Sequence, residues 1–415
     1  MEKRNKPRIS SAWAFILLFG VVSLLSDLTH EGAASIQGSY LSMIGASATA
    51  IGFISGLGEL LGYSLRLLFG RIADRTGRYW LLTIIGYVLD IVAVPLLGLV
   101  GPHGWIAACV LISVERIGKA IKKPSKDTIM SFAATQERVG RSFAIQELLD
   151  QIGAFLGPLF LYLIMLFQSD EESYSAYSVC FLFLAIPALA CLGMLFLTKR
   201  KFPNPDRFEP EAKGDDGKLH IRPSFVLYII GISIFAFGFV DYSLIGMHVS
   251  EVYVAPGGII NDATLPLLYS YAMAIDALSA LVFGKLFDKA GMWSLLISGA
   301  LSAPFSAFIF LFKGLPMLFI GLTMWGIGMG AQESILKAAV TTMVPKHSRA
   351  TGYGAFEFSF GIAWFCGSFL LGALYDVSLP AMAGVSIAFG ALPLPFYALS
   401  SLFKRRESRS EAGNI

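Results

Sequence analysis

Gly70-Arg71-Ile72-Ala73-Asp74-Arg75-Thr76-Gly77-Arg78 is a basic stretch between two apolar segments, each long enough to cross a bilayer. Gly70 and Gly77 read as turn signals in a stretch that carries one acid and three arginines. The backbone is therefore expected to bend where a carboxylate and guanidinium groups are held together. A weaker copy, Gly284-Lys285-Leu286-Phe287-Asp288-Lys289-Ala290-Gly291, recurs 214 residues later with both glycines and the aspartate in register. One loop repeated at half-chain spacing predicts two similar halves.

Outward from these loops the chain is apolar. Of its 415 residues, 55% are hydrophobic and 15% charged, with a mean hydropathy of +0.66. That balance excludes an ordinary soluble domain and indicates a polytopic membrane protein. Apolar runs fall at 12–36, 46–69, 80–101, 105–123, 142–167, 177–197, 224–254, 263–283, 293–312, 315–340, 352–375 and 380–403. Each is taken as a helix, because a helix satisfies its own backbone in lipid. Lys313 is the single Lys or Arg in the odd-numbered connections, so both termini are expected in the cytoplasm. The basic start, Met1 to Arg8, leads into an apolar run without a small-residue cleavage pattern and reads as a retained first helix. Cys109, Cys180, Cys191 and Cys366 all lie in apolar runs, which argues against a disulfide framework. The polar stretch Thr198 to Pro223 reads as a linker. The expected organisation is an N-terminal bundle at 1–197, a cytoplasmic linker at 198–223 and a C-terminal bundle at 224–415.

Gly70, Asp74, Arg75, Gly77 and Arg78 resemble the signature loop between the second and third helices of the major facilitator superfamily of secondary transporters. The resemblance covers nearly the whole chain. It implies an all-α membrane protein of twelve transmembrane helices in two pseudo-symmetric six-helix bundles, working by alternating access. The implied cavity is lined by the first, fourth, seventh and tenth helices. The resemblance also implies a cytoplasmic gate in which Asp74 meets the start of the eleventh helix near Gly352, while Arg78 bridges to Asp127. Gly284, Asp288 and Gly291 are the matching positions of the second copy. Tyr79 stands where the family often carries another basic residue. Gly153-Ala154-Phe155-Leu156-Gly157-Pro158 resembles the first half of an exporter motif, with Leu161 and Tyr162 in place of its closing glycines.

Ionisable side chains inside spanning helices cost roughly 2.5–3.5 kcal/mol each on insertion scales and must face a cavity or a partner. Asp27, His30 and Glu31 stand at i, i+3 and i+4, on one face of the first helix. Asp27 falls on Asp241, and Gly32 on Gly246, at the 214-residue offset. Gly118 with Gly328, Glu147 with Glu357 and Gly157 with Gly367 repeat at 210. The fourth helix carries Glu115, Arg116 and Lys119, with Glu115 and Lys119 spaced to pair, and Arg116 is the candidate for the family's mid-helix arginine. Lys122, Lys123 and Lys126 are expected to snorkel to the surface past a kink at Pro124. Gln332 and Glu333 on the tenth helix complete the candidate substrate and proton-coupling set.

The favoured reading is a proton-coupled transporter of a small organic solute, with export preferred. Transport of a metal or other inorganic cation ranks second, since an Asp/His/Glu set suits a transition metal. A non-transporting receptor or scaffold with a transporter fold is the alternative from another class. No phosphate-cradling Gly-Lys-Ser/Thr loop, spaced Cys/His metal signature or Ser/His/Asp triad is present, so no enzyme activity, cofactor or resident metal is expected. The basic residues follow membrane topology rather than a nucleic-acid face. The expected setting is a monomer in the lipid bilayer of a bacterial inner membrane.

Overall fold

Hydrocarbon gives a peptide group no partner, and the chain answers by being almost wholly helical. The computed structural model describes residues 11–135, 139–168, 173–204, 222–254, 259–343 and 349–413. Within them, the side chains of 134–135, 139–144, 173, 333, 336–343, 349–354, 405 and 408–413 lie outside the described set. Most of the expected 198–223 linker therefore falls outside it too.

In the first half, α1 (Ser11–Met43), α2 (Ala48–Thr76), α3 (Tyr79–Leu96), α4 (Trp105–Thr135) and α5 (Val139–Leu166) make five crossings. A sixth is shared by α6 (Ser173–Phe183) and α7 (Ala185–Lys201). In the second half, α8 (Pro223–Gly238) and α9 (Tyr242–Val249) share the seventh crossing, and α10 (Thr264–Ala290) is the eighth. The ninth is α11 (Trp293–Ser302) with α12 (Phe305–Phe310), followed by α13 (Leu315–Met343) and α14 (Arg349–Val377). The twelfth is α15 (Leu379–Ala391) with α16 (Pro393–Gly413). Eleven stretches are long and apolar enough to cross a membrane by composition. The exception is α4, which carries too many charges.

Three of the four split crossings have a local cause. Pro187, Pro304 and Pro393 each lack the N–H that would continue the helical ladder. The fourth split corrects the expected unbroken seventh helix. Phe239, Val240 and Asp241 are non-helical, and the freed carbonyls find side-chain donors: Trp325 Nε1 donates to Val240 O at 2.9 Å and Ser386 Oγ to Gly238 O at 2.8 Å. Non-helical backbone at membrane depth survives where protein satisfies it.

The repeated loops also differ from expectation in one respect. α2 continues through Gly70 to Thr76, so Gly70 is helical and not a turn, as is Gly284 in α10. The bend belongs to Gly77 and Gly291 alone, at φ +63° and +59°, where an L side chain is strained. Each caps its helix, with Gly77 N–H on Ala73 O and Gly291 N–H on Phe287 O, both at 2.8 Å.

Pairing within the halves follows the repeat. A Cβ on Gly157 would strike the Leu28 carbonyl of α1, and one on Gly367 the Phe237 carbonyl of α8. Helices one and five therefore cross as seven and eleven do, through equivalent glycines.

The described contacts between halves lie away from the Gly70–Arg78 loop. Gly38 of α1 abuts the Ser243 carbonyl of α9, and Gly52 of α2 abuts the Ser368 carbonyl of α14. Ser39 Oγ donates to Gly246 O at 2.9 Å, Tyr177 Oη to Asp262 at 2.9 Å and Ser42 Oγ to Glu251 at 3.0 Å. At this same end Asp376, the last acid of α14, caps the start of α2. It accepts from Ala48 N at 3.2 Å, Thr49 N at 2.8 Å and Thr49 Oγ1 at 2.5 Å. A carboxylate on a helix N-terminus meets both unpaired N–H groups and the positive end of the dipole.

Asp376→Asn is expected to weaken this closed end. A charge-assisted hydrogen bond contributes about 1.5 kcal/mol at its lower limit, which suits an exposed site, and that shifts a two-state equilibrium by about tenfold. Spin labels on the ends of α2 and α14 should report a longer distance population in the variant, and an unchanged distribution would contradict the latch.

Candidate functional site: a charge network facing an aromatic wall

The charges that set α4 apart recur three to four residues apart, so one face of the helix presents Arg116, Lys119, Lys122 and Lys126. The expectation that Lys122 and Lys126 snorkel to the surface is overturned. α4 runs through Pro124 without interruption, and both lysines are 5% exposed. Lys122 Nζ pairs with Asp90 of α3, donates to Ser26 Oγ of α1 at 2.7 Å and lies 4.3 Å from the Tyr87 ring centroid. Lys126 Nζ lies 3.6 Å from Asp150 of α5. Lipid cannot solvate an ammonium, and acids on α3 and α5 pair with both lysines instead.

The expected Glu115–Lys119 pair is not formed. Glu115 instead lies 3.3 Å from Arg116 Nε, and its Oε1 is 2.6 Å from His30 Nδ1. Arg116 also binds Glu59 of α2 at 3.1 Å. Lys119 makes no ion pair among the described residues, although its charge acts on Asp27, His30 and Glu31. A small cavity between α1, α3 and α4 is lined by His30, Gln37, Ile112 and Glu115.

The expected Asp27, His30 and Glu31 face divides three ways. His30 is buried against Glu115. Glu31 accepts from Tyr269 Oη of the other half at 2.5 Å. Asp27 is half-buried and has neither hydrogen bond nor ion pair among the described residues. The charges acting on it most are Asp150, Lys126, Lys119 and Lys122.

In the second half the repeat partner of Asp27 has different company. Asp241 Oδ2 accepts from Trp364 Nε1 at 3.0 Å and Ser368 Oγ at 2.5 Å. Around it Phe239 stacks on Trp325 with centroids 5.6 Å apart, Tyr242 meets Trp325 at 5.7 Å and Tyr269 at 4.3 Å, and Phe360 meets Trp364 at 5.3 Å. Arg116 and Glu59 of the first half are within electrostatic reach of Asp241. A charged face thus opposes an aromatic one.

Gln332 is buried beside Tyr397 with neither amide atom in a well-aligned hydrogen bond, and the Glu333 and Lys337 side chains lie outside the described residues. Asp74, Arg75, Gly77, Arg78 and Asp288 are exposed, whereas Gly291 is half-buried. Asp74 accepts from Tyr79 Oη at 3.4 Å, and Asp127 lies 3.9 Å from Lys123. Among the described residues Asp74, Arg78 and Asp127 form no ion pair with one another, and the side chains at the start of α14, where Gly352 lies, are outside the described set.

Sequence reasoning missed Tyr269, Asp376 and the burial of Lys122. Asp90 held the signal for the last, being the single charge in an otherwise apolar α3 and so in need of a cation.

His30, Asp90 and Glu115 place a nitrogen and carboxylate oxygens within 4.8 Å of one another. Such a set suits a divalent metal, but Lys122 already sits on Asp90 and Arg116 on Glu115. A dication would enter against two fixed cations.

Two bundles of spanning helices around charges held at membrane depth define a membrane transporter. The Major Facilitator Superfamily profile matches residues 9–368 and again 260–414, and the chain belongs to that family. It is 37% identical over 389 residues to an uncharacterized protein of Mycobacterium tuberculosis, covering 92% of each chain. It is 26% identical over 371 residues to an uncharacterized MFS-type transporter of Methanocaldococcus jannaschii, covering 88% of this chain and 89% of that one. Among solved structures, a nucleoside transporter superposes with a TM-score of 0.74 at 12% identity, covering 94% of this chain and 99% of that one. A bacterial homologue of the human lysosomal transporter Spinster, inward-facing and unoccupied, gives 0.70 at 15% identity over 96% and 98%.

Lys122→Met is expected to destabilise the protein by about 3–5 kcal/mol, because Asp90 is left buried without a counter-charge. Lys122→Met with Asp90→Leu should recover most of that loss. Thermal unfolding in detergent checks both, and a single variant melting with the wild type would contradict the pairing.

Proposed function

We propose that the protein is a proton-coupled secondary transporter that moves a small organic solute by alternating access, with export as the working direction. Asp27 carries this reading. It is a carboxylate at membrane depth with no hydrogen bond or ion pair among the described residues, sharing the field of Lys119, Lys122 and Lys126 with Asp150. A charge kept there against its insertion cost is a functional expense, and the simplest neutraliser is a proton taken from one side and released to the other. Asp241 in the opposite half likewise receives hydrogen bonds from neutral donors only.

The distribution of Lys and Arg supports both termini and the Gly70–Arg78 loop lying in the cytoplasm, in a bacterial inner membrane. In that orientation the described contacts of Gly38 with Ser243 and of Gly52 with Ser368 lie toward the outer side. The exposed Asp74 and Arg78 are then poised to assemble with Asp127 and the start of α14 when the inner side closes. The bundles at 1–197 and 224–415 are the moving parts and 198–223 the tether, within one chain acting as a monomer. Export is favoured by the exporter-like Gly153–Pro158 stretch. A receptor or scaffold reading gains nothing from unpaired charge in the membrane.

Sealed vesicles with an imposed proton gradient test the proposal, using solutes selected by thermal stabilisation of the purified protein. The wild type should accumulate solute against its gradient. Asp27→Asn should fall to the level of empty vesicles while keeping its fold. Wild-type accumulation by the Asp27→Asn, Asp241→Asn double variant would contradict proton coupling through these acids.

A further inference from the structure

We infer that the transported solute is an organic cation, a protonated amine or quaternary ammonium on an apolar or aromatic body, held between Asp241 and the aromatic wall of the second half. This rests on the transport reading above and adds the chemical class of the solute.

The first support is a local deficit of positive charge. Glu31, Glu59, Glu115 and Asp241 all act on Arg116, and Arg116 and Lys119 are the lasting cations beside them. One guanidinium serves two of these acids, since Arg116 binds both Glu59 and Glu115. Asp241 is held by an indole and a hydroxyl, and Glu31 by a phenol, all neutral donors. Glu115, 5% exposed and lining the cavity, has its Oε1 2.6 Å from His30 Nδ1, and even with His30 protonated the four acids outnumber Arg116, Lys119 and His30. Carboxylates in surplus at low dielectric attract a cation and repel an anion.

The aromatic wall is independent of that count. Trp325 and Trp364 have both committed their N–H groups, to Val240 O and to Asp241 respectively. Both rings are buried with Phe239 packed on each, so what these indoles have left to offer a ligand is the ring face that it gains by displacing Phe239. Indole is the strongest aromatic partner for a cation, and a desolvated pair gains more than an exposed one. An inorganic ion would draw little from rings and would meet Lys122 and Arg116 in the His30, Asp90 and Glu115 pocket. An organic anion would face the carboxylates. A cation with an apolar body suits both surfaces, and it competes with protons for the same acids, so exchange follows without a further device.

The test uses the full-length protein in detergent and matched probes that differ in charge: tryptamine against indole-3-propionate, phenethylamine against hydrocinnamate, and tetraphenylphosphonium against tetraphenylborate. Binding is read by tryptophan fluorescence and thermal stabilisation. In at least one pair the cation should bind with a Kd at least about tenfold below that of its anion. Asp241→Asn should weaken that cation about tenfold or more. Trp364→Phe, which keeps a ring face, should retain binding that Trp364→Leu loses, so the wall is tested without removing the acid. Anions binding as well as their cations, no probe binding with charge preference, or Asp241→Asn leaving affinity unchanged would each overturn the inference. None of these results would touch gradient-driven transport through Asp27, so the two readings fail separately.

Discussion

An ammonium or guanidinium in hydrocarbon has to be neutralised by something within reach, and α4 places four of them on one face. The packing of the first half answers that demand. α3 supplies Asp90 to Lys122, α5 supplies Asp150 to Lys126, and α2 supplies Glu59 to Arg116. Because each pair joins α4 to a different neighbour, the charges hold the bundle in register as well as neutralising one another. A buried pair of this kind adds little net stability against an apolar isostere. Such pairs on three neighbours of one helix are consistent with the transport reading proposed above.

The two halves share a scaffold and divide the chemistry. Gly157 and Gly367 permit the same helix crossing, and Gly77 and Gly291 the same left-handed cap. On that common frame the first half keeps charge pairs, while the second surrounds a single acid with Phe239, Tyr242, Trp325, Phe360 and Trp364. Asp27 and Asp241 are equivalent in sequence but not in setting. One sits within an unbroken helix among lysines, and the other at a helix break, held by a tryptophan and a serine. The organic cation inferred above would meet fixed charge on one wall and polarisable rings on the other.

Much of the fold was legible because its signals are local. Hydropathy marks each crossing, proline marks three of the breaks, and the two turn glycines advertise the duplication. The break at Phe239–Asp241 was not legible, since its carbonyls are satisfied by Trp325 and Ser386, far along the chain. Depth alone suggested that Lys122 and Lys126 would reach the surface. The direction of a lysine depends on which neighbouring helix carries an acid, and periodicity within α4 does not reveal that. Asp27, Arg116 and Asp241 were identifiable as charges in lipid, but Tyr269 and Asp376 act across the interface between halves and bear no mark in their own segments.

Asp27, with neither hydrogen bond nor ion pair among the described residues, is the acid proposed to exchange a proton. Infrared difference spectroscopy of the purified protein, from mildly acid to mildly alkaline pH, reads the carbonyl stretch of protonated carboxylic acids directly. A titrating band present in the wild type, absent from Asp27→Asn and retained in Asp376→Asn is the predicted result. The same titrating band in Asp27→Asn would contradict the account.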